Sequence, residues 1–137
     1  MAKLMCVEKS ASFLLFEKVS AGFPSPAADY EGKRISLDEL CIKNWSATYF
    51  MVVEGDSMKG AGIFDGDLVV IDRSRKAKIG DVIVTFLNGG YTVKYLRKYE
   101  GLIYLSPANP DYPPIPIQDL DNFEVWGVVT KVVHALS

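Results

Sequence analysis

From Thr48 onward the sequence is a succession of short runs rich in Val, Ile, Tyr, Phe and Thr, each closed by a turn signal. No other feature constrains the fold as tightly, because runs of this kind read as strands. They are Thr48 to Glu54, Leu68 to Asp72, Val82 to Leu87, Tyr91 to Leu96, Leu102 to Leu105 and Glu124 to Val133. Between them stand Gly66-Asp67, Ile79-Gly80-Asp81, Asn88-Gly89-Gly90 and the stretch from Pro107 to Pro116. Asn88-Gly89-Gly90 between two apolar runs predicts a tight hairpin. The expected fold class is mainly β: a compact, mostly antiparallel β domain over residues 34–137, preceded by an extended N-terminal arm over residues 1–33.

The arm differs in kind. Phe23 to Gly32 holds two prolines and a glycine with no helical or strand period, and each proline biases its predecessor toward extended geometry. A marginal helix is expected around Ala11 to Lys18. Ser36-Leu37-Asp38-Glu39 reads as a capping box that opens one short helix to about Lys43, with Ile35 and Leu40 placed for a hydrophobic staple.

Composition narrows the function. The 137 residues are 49% hydrophobic, enough for one domain with a real core and too apolar for general disorder. Fifteen Lys and Arg against 17 Asp and Glu leave a net charge of −2, which argues against a dominant nucleic-acid-binding surface. The basic cluster Arg73, Arg75, Lys76 and Lys78 reads as a solvated turn. Cys6 and Cys41 form no metal-ligand spacing and no disulfide framework, so no metal site is expected and a reducing, cytoplasmic setting is. Asn44 to Val53, unsurpassed among charge-free stretches of the first half, has ten residues, against about 20 needed to cross a membrane. Ser10 to Phe16 followed by Val19-Ser20-Ala21 has the outline of an export signal, but Glu8 and Glu17-Lys18 break it.

Three elements carry possible chemistry. Glu54 to Gly62 follows a strand, and Gly55 permits a tight turn just before Ser57. A serine at such a turn presents its hydroxyl, with the Ser57 and Asp56 amides near enough to stabilise an oxyanion. Taken alone, Gly, Asp and Ser are ordinary turn residues. A nucleophilic serine needs a base. His134, the only histidine, follows a Val-rich strand and reads as a surface or edge residue. A lysine serves only when neutral, which an unperturbed one is about once in 2,500 at pH 7. Burial depresses its pKa, so the base belongs on an apolar strand. Lys94 meets that condition: alternation sets Thr92, Lys94 and Leu96 on one face and Tyr91, Val93 and Tyr95 on the other. The bland reading is a lysine on a half-exposed strand. Val19-Ser20-Ala21-Gly22 completes the set, as either a flexible bend or a small-residue bond suited to a narrow pocket, with Val19 filling a second shallow one.

Gly55-Asp56-Ser57-Met58, Gly66-Asp67, Thr92-Val93-Lys94 and Ala21-Gly22 together resemble the self-cleaving Ser/Lys peptidases of the LexA and UmuD type. The likeness to the UmuD type extends through Gly22 to Tyr30, Ser46 to Phe50 and Gly127-Val128-Val129. Ala21 departs from the cysteine common in that type, and Ala-Gly is the usual repressor bond. The resemblance implies a LexA- or signal-peptidase-like β fold, a homodimer and no cofactor. It implies Ser57 as nucleophile, Lys94 as base, the Ser57 and Asp56 amides as oxyanion donors, and cleavage of the chain's own Ala21–Gly22 bond with Val19 in substrate recognition. It further implies stimulation by a RecA–single-stranded-DNA filament in the DNA-damage response. The shortened product would then act with a UmuC-like translesion polymerase. The competing reading is a non-catalytic β module that only docks on a polymerase or filament. An exported protease would need a membrane anchor.

Overall fold

The computed structural model describes residues 11–15, 19–23 and 32–136. The chain divides into two compact units, Met1–Lys43 and Asn44–Ser137.

In the first unit, β1 (Phe13–Leu15) pairs antiparallel with β2 (Lys33–Ile35), Phe13 opposite Ile35. The Arg34 guanidinium reinforces the pair, donating to the Ser12 carbonyl at 2.9 Å. This corrects the helix expected around Ala11 to Lys18: residues 13–15 are strand, and residues 16–18 lie outside the described residues. So short a helix is marginal in water, and ladder pairing with β2 satisfies the same backbone groups. The helix α1 spans Leu37–Cys41. Ser36 is its N-cap residue in extended geometry, but the Ser36 side chain does not cap the first turn, so the expected capping box is not formed.

In the second unit, seven strands make one antiparallel sheet in the order β3-β4-β9-β5-β6-β7-β8. They are β3 (Thr48–Val52), β4 (Leu68–Asp72), β5 (Val82–Leu87), β6 (Gly90–Tyr99), β7 (Leu102–Ser106), β8 (Ile115–Pro116) and β9 (Val125–Val133). The β5–β6 hairpin turns at Asn88 and Gly89, whose φ values of 51° and 84° match the mirror-image turn that strand twist favours. The two-residue β8 emerges from the proline-rich stretch read as a turn. Register shifts at Val70/Ile71 and Val84/Thr85 bend the sheet, as bulges do.

Two apolar clusters follow. Met58, Ile63, Val69, Ile71 and Val84 form one, flanked by Met51, Val53, Val93 and Tyr95. Ile83, Leu96, Leu105 and Val128 form the other. The first cluster positions the site, because Met58 is Ser57's neighbour and is only 2% exposed. Of the basic cluster, Arg75, Lys76 and Lys78 are exposed on the β4–β5 connection. Arg73 instead donates to the Trp126 carbonyl at 2.7 Å and lies 4.4 Å over its ring. No helix among the described residues is long and apolar enough to cross a membrane.

Candidate active site

The connection after β3 carries Ser57. Gly55 takes φ +94° there, a conformation L side chains rarely adopt, and so turns the chain out of the sheet. Met58 plugs the first core cluster one residue past Ser57. The loop is also clipped to the segment after β7. The Ala108 amide donates to the Ser57 carbonyl at 2.8 Å and the Gly60 amide to the Ala108 carbonyl at 2.7 Å. A Cβ on Gly60 would stand 2.5 Å from that carbonyl oxygen, so only glycine permits the approach. The buried Asn109 donates to the Asp56 carbonyl at 3.0 Å, and the Tyr112 hydroxyl donates to the Asp56 carboxylate at 2.7 Å. That hydrogen bond, with the carboxylate charge behind it, pushes the Tyr112 phenol above its usual range, so the clip persists through neutral and mildly alkaline pH. These bonds use the Asp56 and Ser57 carbonyls and the Asp56 side chain.

Lys94 projects from β6 to the same place. Its Nζ lies 3.1 Å from Ser57 Oγ, 2.9 Å from Thr92 Oγ1 and 3.2 Å from the Val93 carbonyl. Nζ donates to all three oxygens, and their positions hold the amine against the Ser57 hydroxyl. Burial pushes the Lys94 pKa below its ordinary 10.5, because desolvation penalises the ammonium. A cleft of about 230 Å³ opens beside the pair, lined by Met51 to Glu54, Ser57, Val84 and Tyr91 to Val93 among others. Its walls mix apolar side chains such as Met51, Val53 and Val93 with the polar groups of Glu54, Ser57 and Thr92.

The structure therefore brings together Ser57, Lys94 and Asp56. Val19, Ala21 and Gly22 belong to the first unit and are exposed in a bend there, with the Gly22 amide 3.2 Å from Ser20 Oγ. His134 is engaged elsewhere, on Asp67 at 2.5 Å. Asn109 and Tyr112 escaped the sequence reading. They sit 53 and 56 positions from Asp56 in a stretch whose prolines signal only a turn. Among the described residues no group of His, Cys, Asp or Glu is arranged to hold a metal ion.

A serine and a half-buried lysine thus stand at hydrogen-bonding distance beside a cleft in a β sheet. Residues 14–130 match the family described as peptidase S24-like, and the chain belongs to that family. It is 40% identical to protein SamA of Salmonella typhimurium over 92% of this chain and 87% of that one. It is 44% identical to protein MucA of Escherichia coli over 83% of this chain and 78% of that one. With the LexA repressor of Paracidovorax citrulli it shares 37% identity over 88% of its own length and 53% of the repressor's.

Proposed function

We propose that this protein is a self-cleaving Ser/Lys peptidase that cuts its own Ala21–Gly22 bond. The observation that carries the reading is the 3.1 Å approach of Lys94 Nζ to Ser57 Oγ, with the amine desolvated. Neutral Lys94 takes the Ser57 proton as Oγ attacks the Ala21 carbonyl carbon. The oxyanion is held by the Ser57 and Asp56 amides. The Lys94 ammonium returns its proton to the Gly22 nitrogen as the C–N bond breaks. Water, deprotonated in turn by Lys94, then splits the Ala21 ester and frees Ser57. Val19 enters a shallow pocket of the cleft. Gly22 lies 35 positions before Ser57, and the bond that is cut belongs to the arm of the same subunit or of a partner.

The relatives named MucA, SamA and LexA repressor support a role in the DNA-damage response. In that role a RecA–single-stranded-DNA filament stimulates cleavage, and the shortened chain, as a homodimer, joins a UmuC-like translesion polymerase in the cytoplasm. Incubating the purified chain at alkaline pH without partners tests the chemistry. A fragment beginning at Gly22, absent from a normally folded Ser57→Ala variant, is the expected result. Equal fragment from Ser57→Ala, or none from the wild type even with a filament, refutes the reading.

A further inference from the structure

His134 lies just beyond the end of β9, outside the Ser57–Lys94 pair, yet it is tied to one of the few buried carboxylates. Asp67 is 3% exposed. Its Oδ1 is 2.5 Å from His134 Nδ1, and its Oδ2 accepts the Phe64 amide at 2.8 Å. The His134 ring also rests against the Phe64 ring, with centroids 5.2 Å apart. Asp67 thus closes the turn from Phe64 to Asp67 on itself.

That turn grips the chain leading to Ser57. The Val53 amide donates to the Asp67 carbonyl at 2.7 Å, and the Gly66 amide donates to the Val53 carbonyl at 2.7 Å. The Gly55 amide donates to Asp65 Oδ1 at 2.7 Å. Gly55 stands two residues before Ser57 and sets the turn that presents it. A continuous series of bonds therefore runs from His134 through Asp67 and the turn to Val53 and Gly55. Burial alone would raise the Asp67 carboxyl. The Phe64 amide and His134 outweigh it and hold the group below its usual range, so it remains an acceptor at neutral pH.

We propose that His134 is a positioning residue for Ser57: its Nδ1–H bond to Asp67 locks the Phe64–Asp67 turn, which fixes Val53 to Gly55 and aims the serine hydroxyl at Lys94. The proposal rests on the reading of Ser57 as nucleophile. Without that donor, a buried carboxylate oxygen loses its partner, and the turn relaxes toward solvent to recover one. A displacement of about an ångström at a nucleophile can cost roughly a hundredfold in rate.

The test uses the full-length chain and two readouts: release of the Gly22 fragment, and labelling of Ser57 by a fluorophosphonate probe, which does not require the arm. Each is followed across pH in wild type, His134→Phe and His134→Asn. Phenylalanine keeps a ring against Phe64 without a donor. Asparagine restores an N–H near the position of Nδ1. His134 is 42% exposed, so both variants are expected to fold. For His134→Phe the plateau of both rates falls roughly ten- to hundredfold, while the inflection, which belongs to Lys94, stays in place. For His134→Asn most of the rate returns. Wild-type rates in His134→Phe overturn the proposal. So does equal impairment of both variants, which would assign the effect to ring packing, and so does a moved inflection, which would make His134 part of the proton transfer. A wild type that neither labels at Ser57 nor releases the fragment instead refutes the peptidase reading itself.

Discussion

Replacing Lys94 by methionine should abolish cleavage and remove a pH-dependent part of the fold's stability. Burial holds the Lys94 pKa below the unfolded value of 10.5. Between the two pKa values the unfolded chain binds more protons than the folded one, so stability rises with pH across that window. Below the folded value the chain must bury an ammonium, and the penalty is complete. Lys94 is only half-buried, so solvent screening leaves less than the roughly 1.4 kcal/mol per pK unit of a fully desolvated group. Methionine fills similar space and removes that penalty. It also forfeits the contacts to Thr92 and the Val93 carbonyl, worth about 1 kcal/mol each at most when the partners are otherwise satisfied. Thermal unfolding of wild type and Lys94→Met from pH 6 to pH 11 measures the difference. The variant's relative stability should be greatest at neutral pH and fall as pH climbs toward 10.5, as the wild type sheds its penalty. A difference independent of pH would mean that Lys94 carries an unperturbed amine, and the argument for it as a base would fail.

Other expectations follow from the same geometry. Gly22→Glu should block cutting of the variant's own arm, because a charge beside the scissile carbonyl must be desolvated when the bond enters the cleft; an unchanged cut by mass spectrometry would contradict the pocket. Tyr112→Phe frees the Asp56 carboxylate and should slow Ser57 labelling several-fold, by about 1 kcal/mol, without moving its pH inflection; an unaltered labelling rate would show that the clip does not hold the loop. Cleavage at Ala21–Gly22 would remove three Lys and two Glu with Met1 to Ala21, taking the net charge from −2 to −3. The product is no more basic than the precursor, so the shortened chain should gain affinity for the polymerase rather than for single-stranded DNA, as comparative binding measurements would reveal.

The strands were legible because their signals are local. Alternation on Tyr91 to Leu96 and the turn at Asn88-Gly89 depend on neighbours, and they survive in β6 and its hairpin. Even the Ser57–Lys94 pair left a trace, since a glycine-led turn and a lysine on an apolar strand each make local sense. What escaped depends on long-range closure. Phe13 to Leu15 looks equally suited to a helix or a strand until β2 supplies a partner. Asn109, Tyr112 and Asp65 are ordinary turn residues in sequence, and acquire their work only when the sheet folds them onto the Ser57 loop. His134 shows the same limit: near a strand end it reads as an edge residue, and its bond to Asp67 spans 67 positions.

The pH–rate profile of self-cleavage tests the central claim most directly. If neutral Lys94 is the base, the rate rises about tenfold per pH unit and levels off above an inflection set by Lys94. Burial places that inflection below the ordinary lysine value of 10.5. Lys94→Arg, which stays protonated, should release no Gly22 fragment at any pH. A rate independent of pH, or normal cleavage by Lys94→Arg, would contradict the account.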